Sequence, residues 1–193
     1  MLDNLKNYHV LLASNSPRRR ELLAGLGIDF EVCVLPDIEE NYPPELPVSE
    51  IAQYIAREKA EAYRPMMAPA DLIITADTVV IADHEVMGKP VDAADAHRML
   101  RKLSGRKHQV TTGVCLTTKT VQRAFSVTTD VAFKELSDEE ISYYIDHYRP
   151  FDKAGAYGIQ EWIGYIGVTG IDGSYFNVMG LPVQRIYSEL SRF

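Results

Sequence analysis

The chain has 193 residues, 46% of them hydrophobic, and a formal net charge of −7 at pH 7. That length can bury a substantial core and sits at the upper end of ordinary single-domain sizes, so one domain over residues 1–193 is the expectation. The acidic balance disfavours non-specific attraction to nucleic acid or anionic membranes, while leaving room for a local basic pocket.

The opening residues carry Asp3 and only a short apolar run before Asn15, which is not a secretory pattern. No run reaches the roughly 18 uninterrupted apolar residues of a membrane-spanning helix, and a cytoplasmic protein is expected. Tyr8 to Ala13 reads as a short buried strand leading into the loop Ser14-Asn15-Ser16-Pro17. Ser16 is placed to cap a helix and Pro17 to occupy its first position. Leu22, Leu23 and Leu26 give that helix an apolar stripe, and Gly27 is placed to end it.

Val32 to Pro47 is proline-rich and irregular, with the acidic run Asp37-Ile38-Glu39-Glu40. Ser49 caps a second predicted helix through Ile51, Ile55, Lys59 and Ala62. Leu72 to Ala82 is strongly strand-like with Asp77 at its centre, and Ala94 to Leu103 predicts a third helix closed by Gly105. His108 to Thr118 and Val121 to Phe133 predict a hairpin. Ser137 with Glu140 is a capping-box signal before Ile141, Tyr144, Ile145 and Tyr148. Gly155 to Gly180 suggests short strands and tight turns, and Pro182 opens a terminal helix through Val183, Ile186, Tyr187 and Leu190. The mixture predicts an α/β fold.

Several residues stand out chemically. Arg18, Arg19 and Arg20 place cations in the first turn of a helix, against its dipole. An anionic ligand reverses that account, because backbone N–H groups and guanidiniums then converge on phosphate, with Ser14, Ser16, Arg18 and Arg19 as the candidates. The alternative is a solvated basic helix start. Asp77 is a carboxylate in an apolar strand, which calls for a metal ion, a water or backbone N–H partners. It is also a candidate general base.

Lys59 falls near the edge of the apolar face of its helix, and Lys89 sits in the turn Met87-Gly88-Lys89-Pro90. Either can serve as a point charge for phosphate. One carboxylate of the Glu39-Glu40 pair, with Asp77, can complete an oxygen-ligated magnesium site. The five histidines show no metal spacing, and Cys33 and Cys115 form neither a metal site nor a disulfide framework. The Ser14 loop is not a P-loop, and the glycines after Gly155 do not form a dinucleotide fingerprint.

Taken in order, Leu12 to Leu23, Arg57-Glu58-Lys59-Ala60, Ala76-Asp77-Thr78-Val79-Val80, Gly88-Lys89-Pro90, Leu103-Ser104-Gly105-Arg106, Asp152 to Gln160, and Asn177 to Pro182 resemble the Maf family of nucleotide pyrophosphatases. The resemblance covers essentially the whole chain. It implies a mixed sheet flanked by helices with a central phosphate-binding cleft, a divalent cation cofactor, magnesium or manganese, and a homodimer. It also implies a nucleoside triphosphate substrate, and the acidic charge balance adds the expectation of no nucleic-acid or membrane partner.

Residue by residue, the resemblance makes Ser14, Arg18 and Arg19 phosphate or nucleotide contacts, with Lys59 and Lys89 near the triphosphate. It makes Glu39 and Asp77 the metal and water-activating carboxylates, and Lys89 a further catalytic cation. Lys153 and Gln160 mark the branch acting on dTTP and UTP, although Glu161 stands where that branch commonly has glycine. The expected reaction is hydrolysis between the α and β phosphates to a nucleoside monophosphate and pyrophosphate. A pyrophosphatase of methylated GTP and a non-catalytic nucleotide-binding regulator are the competing readings.

Overall fold

A computed structural model describes residues 2–36 and 38–193. After a 3-10 turn, Asp3–Asn7, come β1 (His9–Leu12), α1 (Pro17–Ala24), β2 (Glu31–Val32), α2 (Ile51–Tyr63) and β3 (Asp71–Ala82). They are followed by β4 (Glu85–Met87), α3 (Ala93–Leu103), β5 (Lys107–Thr117), β6 (Gln122–Phe133) and α4 (Asp138–Tyr148). Last come α5 (Trp162–Gly167), β7 (Val168–Asp172), α6 (Tyr175–Met179) and α7 (Val183–Leu190). The strands neighbour one another in the order β2-β1-β3-β5-β6-β7, with β4 also paired to β3. Pairing is parallel for β1 with β2 and β3, and antiparallel for β3 with β4 and β6 with β7, so the sheet is mixed. Among the described residues no helix is long and apolar enough to cross a membrane.

The chain groups into two compact units. The first takes the residues up to Asp77 together with Thr112–Val127 and Gly180–Phe193. Its helix α2 approaches the sheet very closely, because a Cβ on Gly113 of β5 would lie 2.2 Å from the carbonyl carbon and oxygen of Ala52. Two alanines of α2, Ala56 and Ala60, are fully buried and pack with Cys115. Thr75 of β3 donates its hydroxyl to the Ala56 carbonyl at 2.6 Å, which fixes the helix along the strand.

The second unit comprises Thr78–Thr111 and Thr128–Met179. Its core joins Val80 and Met87 to Leu100 and Leu103 of α3, Ile141 and Tyr144 of α4, and Ile163 of α5. Ser137 and Glu140 form the predicted reciprocal capping box at the start of α4. His108 is buried, sharing a 2.7 Å hydrogen bond with the Tyr157 hydroxyl, and its Nδ1 has no hydrogen-bond partner among the described residues. Burial holds its pKa down, to about 4.

Some local expectations need correction. Helix α1 ends at Gly25 rather than Gly27, which instead closes the following turn at φ +67°. Helix α2 starts without a side-chain cap: Glu50, not Ser49, is the capping position, and a turn from the Glu50 N–H to the Pro47 carbonyl at 2.8 Å leads in. Strand β4 was not expected. It forms because Asp83 and His84 both adopt left-handed conformations, φ 51° and 63°, in a two-residue turn that folds the chain back on β3. The region from Gly155 to Gly180 holds two short helices beside one strand, because its apolar residues are spaced to reach the second unit's core from successive helical turns.

Two expectations follow. Gly113→Ala should destabilise the protein by about 3 kcal/mol in urea titrations, since backbone faces the new methyl group and no flexible side chain can yield. His108 has a lower pKa folded than unfolded, so the unfolded chain binds more protons between the two values. Stability should therefore fall as pH drops from about 6.5 to about 4, by on the order of 3 kcal/mol from this group. In a folded His108→Gln variant, the slope of stability against pH over that window should be shallower by up to one proton.

Candidate functional site

The first unit gathers charged groups around the middle of β3. Side chains alternate along a strand, so Thr75 and Asp77 share a face. Thr75 reaches Ala56 on α2, and Asp77 reaches Lys59, one helical turn further along. The Lys59 ammonium lies 2.9 Å from Asp77 Oδ1 and 2.7 Å from Glu40 Oε1. Both the Lys59 and Asp77 side chains are nearly enclosed, at 13% and 11% exposure, whereas Glu40 is 42% exposed.

The acidic loop is steered there by Tyr63, whose hydroxyl accepts the Leu35 N–H at 2.8 Å and donates to the Cys33 carbonyl at 3.1 Å. Ile38 packs beside Tyr63, Leu11, Met67 and Ile73. Asp37 lies outside the described residues. Of the acidic pair, Glu40 and not Glu39 joins Lys59. Glu39 is exposed and accepts a hydrogen bond from Asn41 at 2.6 Å. The one-residue difference arises because consecutive side chains of an extended loop diverge.

The loop between β1 and α1 is organised by its own hydroxyls. Ser14 is buried and its Oγ accepts the Ser16 N–H at 3.2 Å, while Ser16 caps α1 by accepting the Arg19 N–H at 3.4 Å. The Arg19 side chain turns inward. Its Nε donates to the Gly180 carbonyl and its Nη1 to the Ala76 carbonyl, each at 2.9 Å. Burial lowers the guanidinium's pKa, opposed by the charges of Asp77 and Glu40. Arginine nevertheless remains a cation. Ser14, Arg19, Lys59 and Asp77 thus belong to one neighbourhood, and Arg18 adjoins it on α1.

Lys89, Lys153 and Gln160 belong to the second unit. The Gly155 N–H donates to the Gly88 carbonyl at 3.0 Å, joining the Lys89 turn to the Lys153 segment. Gly155 has φ +66°, and a Cβ there would lie 2.8 Å from Val80, so the approach requires glycine. The Lys153 ammonium is buried between two carboxylates, 2.8 Å from Asp152 and 3.2 Å from Glu161. Gln160 keeps its side-chain carbonyl oxygen buried, without a hydrogen-bond partner among the described residues. Sequence reasoning noticed Glu161 but not its partner Tyr144, which reads as one more apolar position of α4.

Among the described residues no group of three or more histidine, cysteine, aspartate or glutamate side chains is placed to hold a metal. A pair of carboxylates held around one cation, Asp77 and Glu40 about Lys59, still fits magnesium. That ion commonly binds one or two protein carboxylates and takes its other ligands from water and substrate phosphates.

Residues 9–193 match the family described as Maf-like protein. The dTTP/UTP pyrophosphatase of Phocaeicola vulgatus is 66% identical over 192 residues, covering 100% of both chains. Its namesake in Bacteroides thetaiotaomicron is 58% identical over 192 residues with the same coverage. That of Flavobacterium johnsoniae is 46% identical over 189 residues, covering 98% of this chain and 97% of its own. Among solved structures, a HAM1 protein from Coxiella burnetii has a TM-score of 0.52 at 14% identity, covering 96% of this chain and 100% of that one, a likeness of fold alone.

Removing one partner of a nearly enclosed ion pair leaves the other charge stranded. Lys59→Met should therefore cost about 3 kcal/mol in denaturant titrations, and the double variant K59M/D77N should recover part of that loss. A double variant no more stable than Lys59→Met would show that Asp77 is not the stranded charge.

Proposed function

The chain belongs to the Maf family, and from that premise we infer that it hydrolyses dTTP and UTP between the α and β phosphates, releasing a nucleoside monophosphate and pyrophosphate. The observation that best supports a water-activating site is the enclosed Asp77 carboxylate, held with Lys59 and Glu40 in an otherwise apolar strand.

In this reading Arg18 and Arg19 bind the phosphates, and Ser14 and Ser16 offer hydroxyls whose oxygens already organise the loop. Lys59 and Lys89 add compact positive charge, which counters the negative charge that develops on the leaving pyrophosphate. Asp77 orients a water toward the α phosphorus and accepts its proton. The P–O bond to the bridging oxygen breaks, and pyrophosphate departs with the electron pair. No covalent intermediate with the protein is required.

Asp77 and a carboxylate of the Glu39-Glu40 pair would hold a divalent cation, magnesium or manganese, and the geometry favours Glu40 for the second ligand. When bound, that ion supplies Lewis-acid polarisation of the triphosphate oxygens. Lys153 and Gln160 are assigned to the pyrimidine, whose ring edge offers directional hydrogen-bonding groups. A single domain, a cytoplasmic location and a homodimer complete the reading.

Asp77→Asn keeps the size of the side chain but loses its charge and basicity. It should lower kcat by about a thousandfold while changing nucleotide affinity much less. Anion-exchange separation of the products, with UTP, dTTP, CTP, GTP and methylated GTP at equal sub-saturating concentration, tests reaction and substrate together. Initial release of orthophosphate and nucleoside diphosphate would contradict the cleavage site. Near-normal turnover by folded D77N would remove Asp77 from the chemistry.

A further inference from the structure

Glu161 stands where the turn after Gln160 enters α5, yet its carboxylate makes no capping bond to that helix. It goes to side chains of two other segments instead. Oε1 lies 3.2 Å from the Lys153 ammonium, and Oε2 accepts the hydroxyl proton of Tyr144 on α4. The same Tyr144 oxygen accepts the Gly158 N–H at 3.0 Å, and the Glu161 N–H closes the turn on the Gly158 carbonyl at 3.0 Å. Both ends of the turn Gly158-Ile159-Gln160-Glu161 are thereby fixed through one tyrosine.

Little freedom remains in this arrangement. Tyr144 is fully buried and stacks on Tyr148 with ring centroids 5.1 Å apart. Burial and the neighbouring Glu161 carboxylate push its hydroxyl well above the ordinary range, so it stays protonated and acts as the donor. A methyl group on Gly158 would lie 3.0 Å from both the Gln160 side-chain nitrogen and the Glu161 carboxyl carbon. The turn holds the Gln160 amide with its carbonyl oxygen buried and, among the described residues, without a hydrogen-bond partner. A buried acceptor in that condition is complementary to a ligand donor. Uracil and thymine carry a ring N–H at position 3, whereas cytosine presents an acceptor there.

We propose that Glu161 is a positioning residue for base discrimination: through Tyr144 and Lys153 it fixes the Gln160 amide, and so sets the preference for uracil and thymine over cytosine. The inference rests on the reading of Gln160 as a base contact. Glu161 also helps Asp152 compensate the buried Lys153 ammonium, so that hydrogen-bond direction rather than unbalanced charge decides which base is accepted.

The test is the ratio of kcat/KM for UTP to that for CTP, followed by pyrophosphate release, for the whole protein and three variants whose folding is verified by thermal denaturation. In Glu161→Ala the ratio should fall about tenfold, mainly through a raised KM for UTP, because the amide loses its fixed orientation. Tyr144→Phe, which keeps the stacked ring, should lose about as much, and carries the test alone if Glu161→Ala does not fold. Glu161→Gln retains an amide oxygen to accept from Tyr144 and should keep the ratio within about threefold of wild type. A folded Glu161→Ala or Tyr144→Phe variant with the wild-type ratio overturns the inference and leaves the substrate reading standing, as does an equal loss on both nucleotides. A wild-type protein that does not favour UTP over CTP overturns both.

Discussion

Asp77 is a buried carboxylate on a mostly apolar strand, where a polar group without a partner is costly, and Lys59 supplies a cation at 2.9 Å. The demand propagates outward. Lysine must approach from a helix lying close against the sheet, which is why Gly113 faces the Ala52 backbone and why Ala56 and Ala60 line the buried face of α2. Thr75 fixes the helix lengthwise and Tyr63 brings in the loop that delivers Glu40. The packing of the first unit and its polar contacts thus solve one problem: giving a buried carboxylate a partner away from bulk water.

Each unit sets one lysine between two carboxylates. Lys59 lies between Asp77 and Glu40 in the first, and Lys153 lies between Asp152 and Glu161 in the second. Near Lys153 the second unit also buries an uncharged amide oxygen, that of Gln160, which has no hydrogen-bond partner among the described residues.

Much of this was legible in the sequence, where local chemistry decides structure. The Ser16 cap with Pro17, the Ser137-Glu140 capping box and the strand around Asp77 each depend on residues within a few positions of one another, and each formed as expected. What was not legible depended on partners distant in the chain or on backbone conformation. Nothing in Glu39-Glu40 tells which carboxylate an extended loop will aim inward. Two non-glycine residues in left-handed conformation built β4 where no turn signal stood. Helix α5 requires Gly164, because a Cβ there would lie 1.8 Å from the Ile159 carbonyl oxygen. In the sequence that glycine reads as a breaker. The Maf resemblance anticipated the neighbourhood of Ser14, Arg19, Lys59 and Asp77 because it is carried by those motifs, whereas Tyr144 belongs to none of them.

Arg19 connects these matters to the order in which the chain is made. Its first acceptor, the Ala76 carbonyl, follows it by 57 residues, but its second, the Gly180 carbonyl, follows by 161. The bond to Gly180 can therefore form only once nearly the whole chain has been synthesised, so one contact that holds the loop before α1 closes late although the loop itself is made early.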